Sequence, residues 1–176
     1  MLNRRDEQAF FNDVYKSAFP VLFRVVLQIL RDQETAEEVC HDAFIKLHQH
    51  SSTLPDVDQA RYWVIRVGKN LAFNLAKRRG RERRAMERVY YEPQQPSRRA
   101  DQDALEEETI AVVRDAVEKL PRSLRDVIVL KEYGNLPYSE IAKTLGISEG
   151  NVKVRVHRAR ERLTNLLEGV DVQFRE

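Results

Sequence analysis

The segment from Tyr138 to Leu167, YSEIAKTLGISEGNVKVRVHRARERLTNLL, constrains this chain more than any other. Ile141, Ala142 and Leu145 recur at helical spacing. Gly146 comes next, as a residue that takes the left-handed conformation closing a helix. Ala142 is small enough for a second helix to pass close, Ile147 fills the gap, and Ser148 is a good N-cap for that second helix. From there Val152, Val156, Ala159, Leu163 and Leu166 or Leu167 form one apolar stripe. The rest of that helix is basic: Lys153, Arg155, His157, Arg158, Arg160 and Arg162. A helix packed on one side and cationic on the other, entered through so short a turn, has the geometry of a helix-turn-helix that reads the major groove. The competing reading is a surface helix whose Arg residues are merely solvated. The coincidence of small residue, glycine, cap and basic face weighs against it.

With 176 residues the chain has room for one large domain or two small helical ones. Its formal charge of +2 averages strongly uneven segments. One Cys excludes a disulfide framework and fits a reducing compartment. No run approaches the length that spans a bilayer, and MLNRRDEQAFF has no apolar signal core. Scarce glycine and long helix-period patterns predict an all-α, soluble, cytoplasmic protein.

Taken in order, Phe10, Phe11, Val14, Tyr15 and Ala18 repeat at helical intervals. Pro20 is expected to interrupt and start a second helix carrying Leu22, Val25, Val26, Ile29 and Leu30. A third helix, 34–50, buries Ala36, Val39, Cys40, Ala43, Phe44 and Leu47 and turns Glu37, Glu38, His41, Asp42 and Lys46 outward. Cys40 with His41, His48 and His50 invites a zinc reading. Cys40 lies in the apolar stripe and His41 points about 100° away, so a buried inert thiol is expected instead. The polar outer face reads, on the residues alone, as solvated.

After SSTLPDVD, where Asp56 and Gln59 are spaced to cap a helix, the fourth helix runs from about Gln59 past Lys77. Ala60, Trp63, Val64, Val67, Leu71 and Leu75 are expected inward. Arg61, Arg66, Lys69, Asn70, Asn74, Lys77 and Arg78 are expected outward, and after them Arg79, Arg81, Arg83 and Arg84. From Arg61 to Arg84 the only acidic residue is Glu82. A cationic strip carrying Asn side chains and edged by Tyr62, Trp63 and Phe73 suits a nucleic-acid backbone and unstacked bases. From Arg84 to Asp103 the helical period fades into YYEPQQPSRRADQD, which reads as a flexible linker. An acidic block, Asp101, Asp103, Glu106, Glu107 and Glu108, lies at its far end. Next comes a helix through Ile110 to Leu120, then another from Pro121, stopping near Gly134. The chain's end, EGVDVQFRE, is expected to fray.

Three stretches together carry a family likeness: AEEVCHDAFIKLHQH, ARYWVIRVGKNLAFNLAKRRGR and LPRSLRDVIVLKEYGNLPYSEIAKTLGISEGNVKVRVHRARERL. In this order the chain resembles the bacterial extracytoplasmic-function sigma factors, the small two-domain members of the sigma-seventy-like class. The last stretch alone also looks like the DNA-binding end of other bacterial activators; the first two do not occur there. The resemblance implies an N-terminal four-helix sigma region 2 (1–84), a linker (85–106) and a C-terminal helix-turn-helix sigma region 4 (107–176). Glu38, His41, Asp42 and Lys46 would dock on core RNA polymerase, which replaces the solvated reading of that face. Arg61, Lys69, Asn70, Asn74, Lys77 and Arg78 would hold the downstream, minus-ten element of promoter DNA, with a flipped base captured near Ser51 to Asp58. The linker would thread toward the RNA exit path. In the upstream, minus-thirty-five element, Asn151, Lys153, Val154, His157 and Arg158 would face bases, and Ser148, Arg155 and Arg162 phosphates. Val154 departs from the small polar residue frequent in the family and would meet a thymine methyl. An anti-sigma factor covering the polymerase-binding surfaces is the further partner implied.

Two other function classes fit less well. A free-standing regulator whose first domain senses a ligand or dimerises leaves the basic fourth helix unexplained. An enzyme would need a nucleophile arrangement, a glycine-rich phosphate loop or metal-spaced ligands, and none of these motifs occurs. Neither a cofactor, a metal, a small-molecule substrate nor membrane insertion is expected.

Overall fold

The computed structural model describes residues 4–89 and 101–168. Among them all regular structure is helical: α1 (Arg4–Leu30), α2 (Gln33–His50), a single 3-10 turn (Ser51–Thr53), α3 (Val57–Val89), α4 (Asp101–Lys119), α5 (Arg122–Glu132), α6 (Tyr138–Leu145) and α7 (Glu149–Leu167).

The break expected at Pro20 does not occur: α1 runs straight through it. A proline there denies the Lys16 carbonyl its donor and costs about 3 kcal/mol in a helix interior. Ala18, Leu22, Val25 and Val26, all fully buried, surround it, and packing on this scale outweighs the local penalty. One residue on from Lys16, the Ser17 carbonyl accepts from Arg61 Nε of α3 at 3.3 Å. The first half is therefore three long helices and one short turn, not four helices.

α2 is capped by Asp32, whose carboxylate accepts from Thr35 N at 3.0 Å and from the Thr35 hydroxyl. Those bonds hold the Asp32 carboxyl below its usual range. Cys40 is buried and burial pushes its thiol up to about 12, the inert state expected of it. α3 is capped by Asp56 Oδ1, which accepts from Gln59 N at 2.8 Å, and the helix packs against α1 and α2.

In the second half, Gly146 closes α6 at φ 68°, ψ 39°, and Ser148 caps α7 by accepting from Asn151 N at 3.2 Å. Val127, Leu130, Ile141, Ala142, Val152, Val156 and Ala159 form the packed centre of this half. Gly134 is spaced as a helix stop, but close approach explains it better. A Cβ there would lie 2.7 Å from the Leu130 carbonyl oxygen and 3.2 Å from Val25 of α1. The left-handed turn falls instead on Asn135, at φ 51°, which asparagine tolerates.

That approach belongs to a wider contact, since the two helical groups pack directly and share one continuous core. Arg24 of α1 donates to the Gly134 carbonyl at 3.1 Å, and α3 lies against α6. α3 continues to Val89 and α4 starts at Asp101, so helix covers both ends of the segment read as linker. Its middle (90–100), the acidic side chains of 101–108 and the terminal 169–176 lie outside the described residues.

Candidate nucleic-acid interface

α7 presents its basic face as its sequence requires. Val152, Val156 and Ala159 are buried, while Asn151, Lys153, Val154, His157, Arg158 and Arg162 are exposed. Val154 is 49 % exposed, an apolar surface available to a base methyl. Neighbouring side chains hold several of these groups in place. Lys153 pairs with Glu149 at 3.2 Å, His157 Nδ1 lies 3.3 Å from Glu161, and Arg155 Nε donates to Asn151 Oδ1 at 2.8 Å. Arg160 is drawn aside to Glu132 of α5 at 2.9 Å. Arg158 has no hydrogen bond or ion pair among the described residues, so its fork is free to meet a guanine edge. The Ser148 hydroxyl already serves the cap, which leaves it a donor for a phosphate oxygen.

α3 is less simple. Asn74, Lys77 and Arg78 are exposed as expected, with Arg78 facing Glu82 at 3.6 Å. Lys69 is not outward: its side chain is 0 % exposed and its Nζ lies 2.5 Å from Asp126 Oδ1 of α5. Burial pushes the ammonium below its usual range, and the Asp126 carboxylate counters this only in part. Asn70 Oδ1 accepts from Arg122 at 3.5 Å, and Arg61 pairs with Glu140 of α6 at 2.8 Å. The Arg125 guanidinium stands 4.4 Å from the Phe73 ring centre, and Lys143 Nζ 5.7 Å from that of Tyr62. The core-proximal part of the strip is thus covered by the second helical group, while its distal part stands clear. Asp126, Arg122, Arg125 and Glu140 carry no motif, and nothing in the sequence marks them as partners of α3.

On α2, Glu38, His41, Asp42 and Lys46 are all exposed. Glu38, His41 and Asp42 border a shallow depression with Glu34 and Glu37. Ile45, 51 % exposed on the same side, falls outside the apolar stripe, so no sequence pattern singles it out. In the turn between α2 and α3, Ser51 and Thr53 hydroxyls donate back to the His48 and His50 carbonyls at 3.0 and 2.8 Å. The Trp63 ring lies 5.2 Å from that of His50.

The arrangement offers two cationic helices and a mainly acidic, partly apolar third surface. Among the described residues no helix is long and apolar enough to cross a membrane. Residues 14–82 match the family model Sigma-70 region 2, and residues 110–163 match Sigma-70, region 4. The chain is 30 % identical to the ECF RNA polymerase sigma factor SigL of Mycobacterium tuberculosis, over 87 % of this chain and 86 % of that one. It is 28 % identical to the RNA polymerase sigma-H factor of Pseudomonas aeruginosa, over 95 % and 90 %. The fold is similar to that of CnrH solved in complex with the cytosolic domain of CnrY, with a TM-score of 0.62 at 24 % identity, covering 92 % of this chain and 89 % of that one. It is similar too to the sigma factor RpoE solved with the anti-sigma factor NepR from Bartonella quintana, at 0.55 and 23 %, covering 92 % and 98 %.

Proposed function

The chain belongs to the ECF family of RNA polymerase sigma factors, and from that premise we propose that it binds core RNA polymerase in the cytoplasm and directs initiation at promoters with two separate DNA grips. It carries no chemistry of its own in this reading; the polymerase supplies that. The observation that carries the proposal is the pairing of two cationic helices, α3 and α7, with a third, exposed surface on α2 free for protein. Residues 1–84 act as region 2 and 107–176 as region 4, joined through 85–106.

Glu38, His41, Asp42 and Lys46 dock on the polymerase, with Ile45 as the apolar centre of the contact. On α3 the exposed Asn74, Lys77 and Arg78 take the opened downstream strand, and Arg61, Lys69, Asn70 and Phe73 reach it once the second helical group has moved off them, the charges on phosphates and the ring beneath a base. On α7, Arg158 or Lys153 reads guanine, Val154 a thymine methyl, and Ser148, Arg155 and Arg162 fix register on phosphates. An anti-sigma protein holds the factor when it is not needed. Support comes from the solved relatives, one of which is described with an anti-sigma factor.

Two results test this. Asn70→Ala with Asn74→Ala should impair strand opening while duplex binding persists; an unaltered permanganate footprint at the downstream element would refute the assignment. Arg158→Ala should remove about 1–3 kcal/mol of discrimination at one upstream base pair. Measured against a panel of point-substituted promoters, a uniform loss would mark Arg158 as a phosphate contact instead.

A further inference from the structure

The first turn of α7 carries a carboxylate on a helix otherwise built for a polyanion. Glu149 is exposed, and from Gly150 to Arg160 no other acidic residue follows, while Lys153, Arg155, Arg158 and Arg160 do. Beside phosphates an uncompensated carboxylate weakens binding to every sequence alike. Glu149 Oε1 lies 3.2 Å from Lys153 Nζ, one turn further on, with both side chains open to solvent. The neighbouring acceptors are used inside the helix: the Ser148 hydroxyl accepts from Asn151 N, and Asn151 Oδ1 accepts from Arg155 Nε. A carboxylate has about four acceptor sites and an ammonium three donors, so the Glu149–Lys153 pair can take on further partners without coming apart.

Resting on the reading of α7 as the helix that meets upstream duplex, we infer that Glu149 and Lys153 act as one reading unit, with Glu149 the specificity-determining member. Its target is a base pair with a keto base on one strand and an amino base on the other, G·C before all. In the major groove guanine shows N7 and O6 as acceptors, next to the N4 amine of cytosine. O6 and N4 are the two ends of one Watson–Crick hydrogen bond, and therefore stand about 2.9 Å apart. The ammonium and carboxylate of the pair have nearly that separation, at 3.2 Å. Lys153 donates to O6, the outer N4 hydrogen is donated to Glu149, and the ion pair persists across the contact. Neither charge gives up its partner to meet the base.

The carboxylate adds what a lysine alone lacks, a sense of direction. Reversed, as C·G or A·T, the base pair sets an amine against the ammonium and a keto oxygen against the carboxylate, and both contacts repel. T·A offers O4 beside N6 in the favourable order, but only guanine adds N7 as a second acceptor for Lys153. The expected order is G·C, then T·A, with C·G and A·T well behind. This discrimination is what offsets the general repulsion of Glu149 by phosphate.

The test uses holoenzyme assembled from the full chain and core RNA polymerase, bound to duplexes with a randomised upstream segment and sequenced after selection. The parent should show the stated order at one base pair. Glu149→Ala should level it there by about tenfold, leaving other positions unchanged, and Lys153→Ala should alter the same base pair. Glu149→Gln, whose amide offers an oxygen or an amino group by turning over, should tolerate both orientations. A cytosine analogue without the exocyclic amine at that position should weaken the parent and leave Glu149→Ala unaffected. Circular dichroism checks that each variant remains folded; should Glu149→Ala fail there, Glu149→Gln carries the comparison. A uniform gain of affinity for all sequences in Glu149→Ala reduces the carboxylate to a general repulsive charge and overturns the inference. So does a change at different base pairs in Glu149→Ala and Lys153→Ala. Absence of any upstream base preference in the parent overturns instead the reading of α7 on which the inference rests.

Discussion

Val152→Asp is expected to unfold the helix-turn-helix half and abolish recognition of upstream duplex. Val152 is 0 % exposed and sits in the first turn of α7, within the core that includes Ile141, Ala142, Val156 and Ala159. A carboxylate there must either stay ionised without a partner or take up a proton, and either course costs several kcal/mol. The favourable field at a helix N-terminus returns only about 0.5–1 kcal/mol, so it does not rescue the variant. Against a domain stability of roughly 5–15 kcal/mol, shared here by a small helical group, the deficit is decisive. Thermal melts monitored by circular dichroism should lose the helical signal of this half well below the parent's transition, and gel shifts with duplex should fail. A variant that melts with the parent would show that α7 does not pack through Val152.

The second large effect is expected in the other half. Gly68 of α3 faces Leu22 of α1 and Ala43 of α2, and a Cβ there would lie 2.4 Å from Leu22 Cδ1 and 3.3 Å from Ala43 Cβ. Leu22 is fully buried and has nowhere to retreat. Replacing a helical glycine ordinarily gains up to about 1 kcal/mol, less for a β-branched residue. Overpacking a tight site costs about 1–3 kcal/mol, so Gly68→Val should be a net loss near 2 kcal/mol. Urea titration should show a lower midpoint with an unchanged slope. Adding Leu22→Ala makes room, and the double variant should be more stable than the sum of the two single losses predicts; strict additivity would mean that the two do not meet.

How far the sequence can be read depends on how many sides of each helix are covered. α7 has one buried stripe and one exposed face, so its pattern, its cap at Ser148 and the turn at Gly146 are all legible from the residues. α3 is covered on two sides. Residues 61, 65, 69 and 73 step by four and mark out a second face, where Ile65 and Lys69 are buried, Arg61 and Phe73 half-buried. Reading one apolar stripe per helix sends Lys69 outward, since nothing local announces the carboxylate of Asp126 arriving from the other half of the chain. Pro20 departs from expectation for the opposite reason, because a sound local rule is overridden by the buried side chains around it. Gly134 stands out in the sequence, but its crowding against Val25 depends on a contact between halves that no local pattern contains.

The distal turns of α3, residues 77–86, are largely exposed. The helix's 33 residues make a rod of about 50 Å. Between 77 and 86 it carries Lys77, Arg78, Arg79, Arg81, Arg83 and Arg84 against the single carboxylate of Glu82. In the role proposed for α3, a helix end of this charge density would meet the ion cloud of a polynucleotide, with Arg79 also donating to the Thr35 hydroxyl of α2 at 2.9 Å. Each cation that settles on a single strand expels close to 0.7 of a condensed monovalent ion. If α3 holds DNA as proposed, ambient electrolyte sets the strength of that grip as firmly as base sequence sets its location.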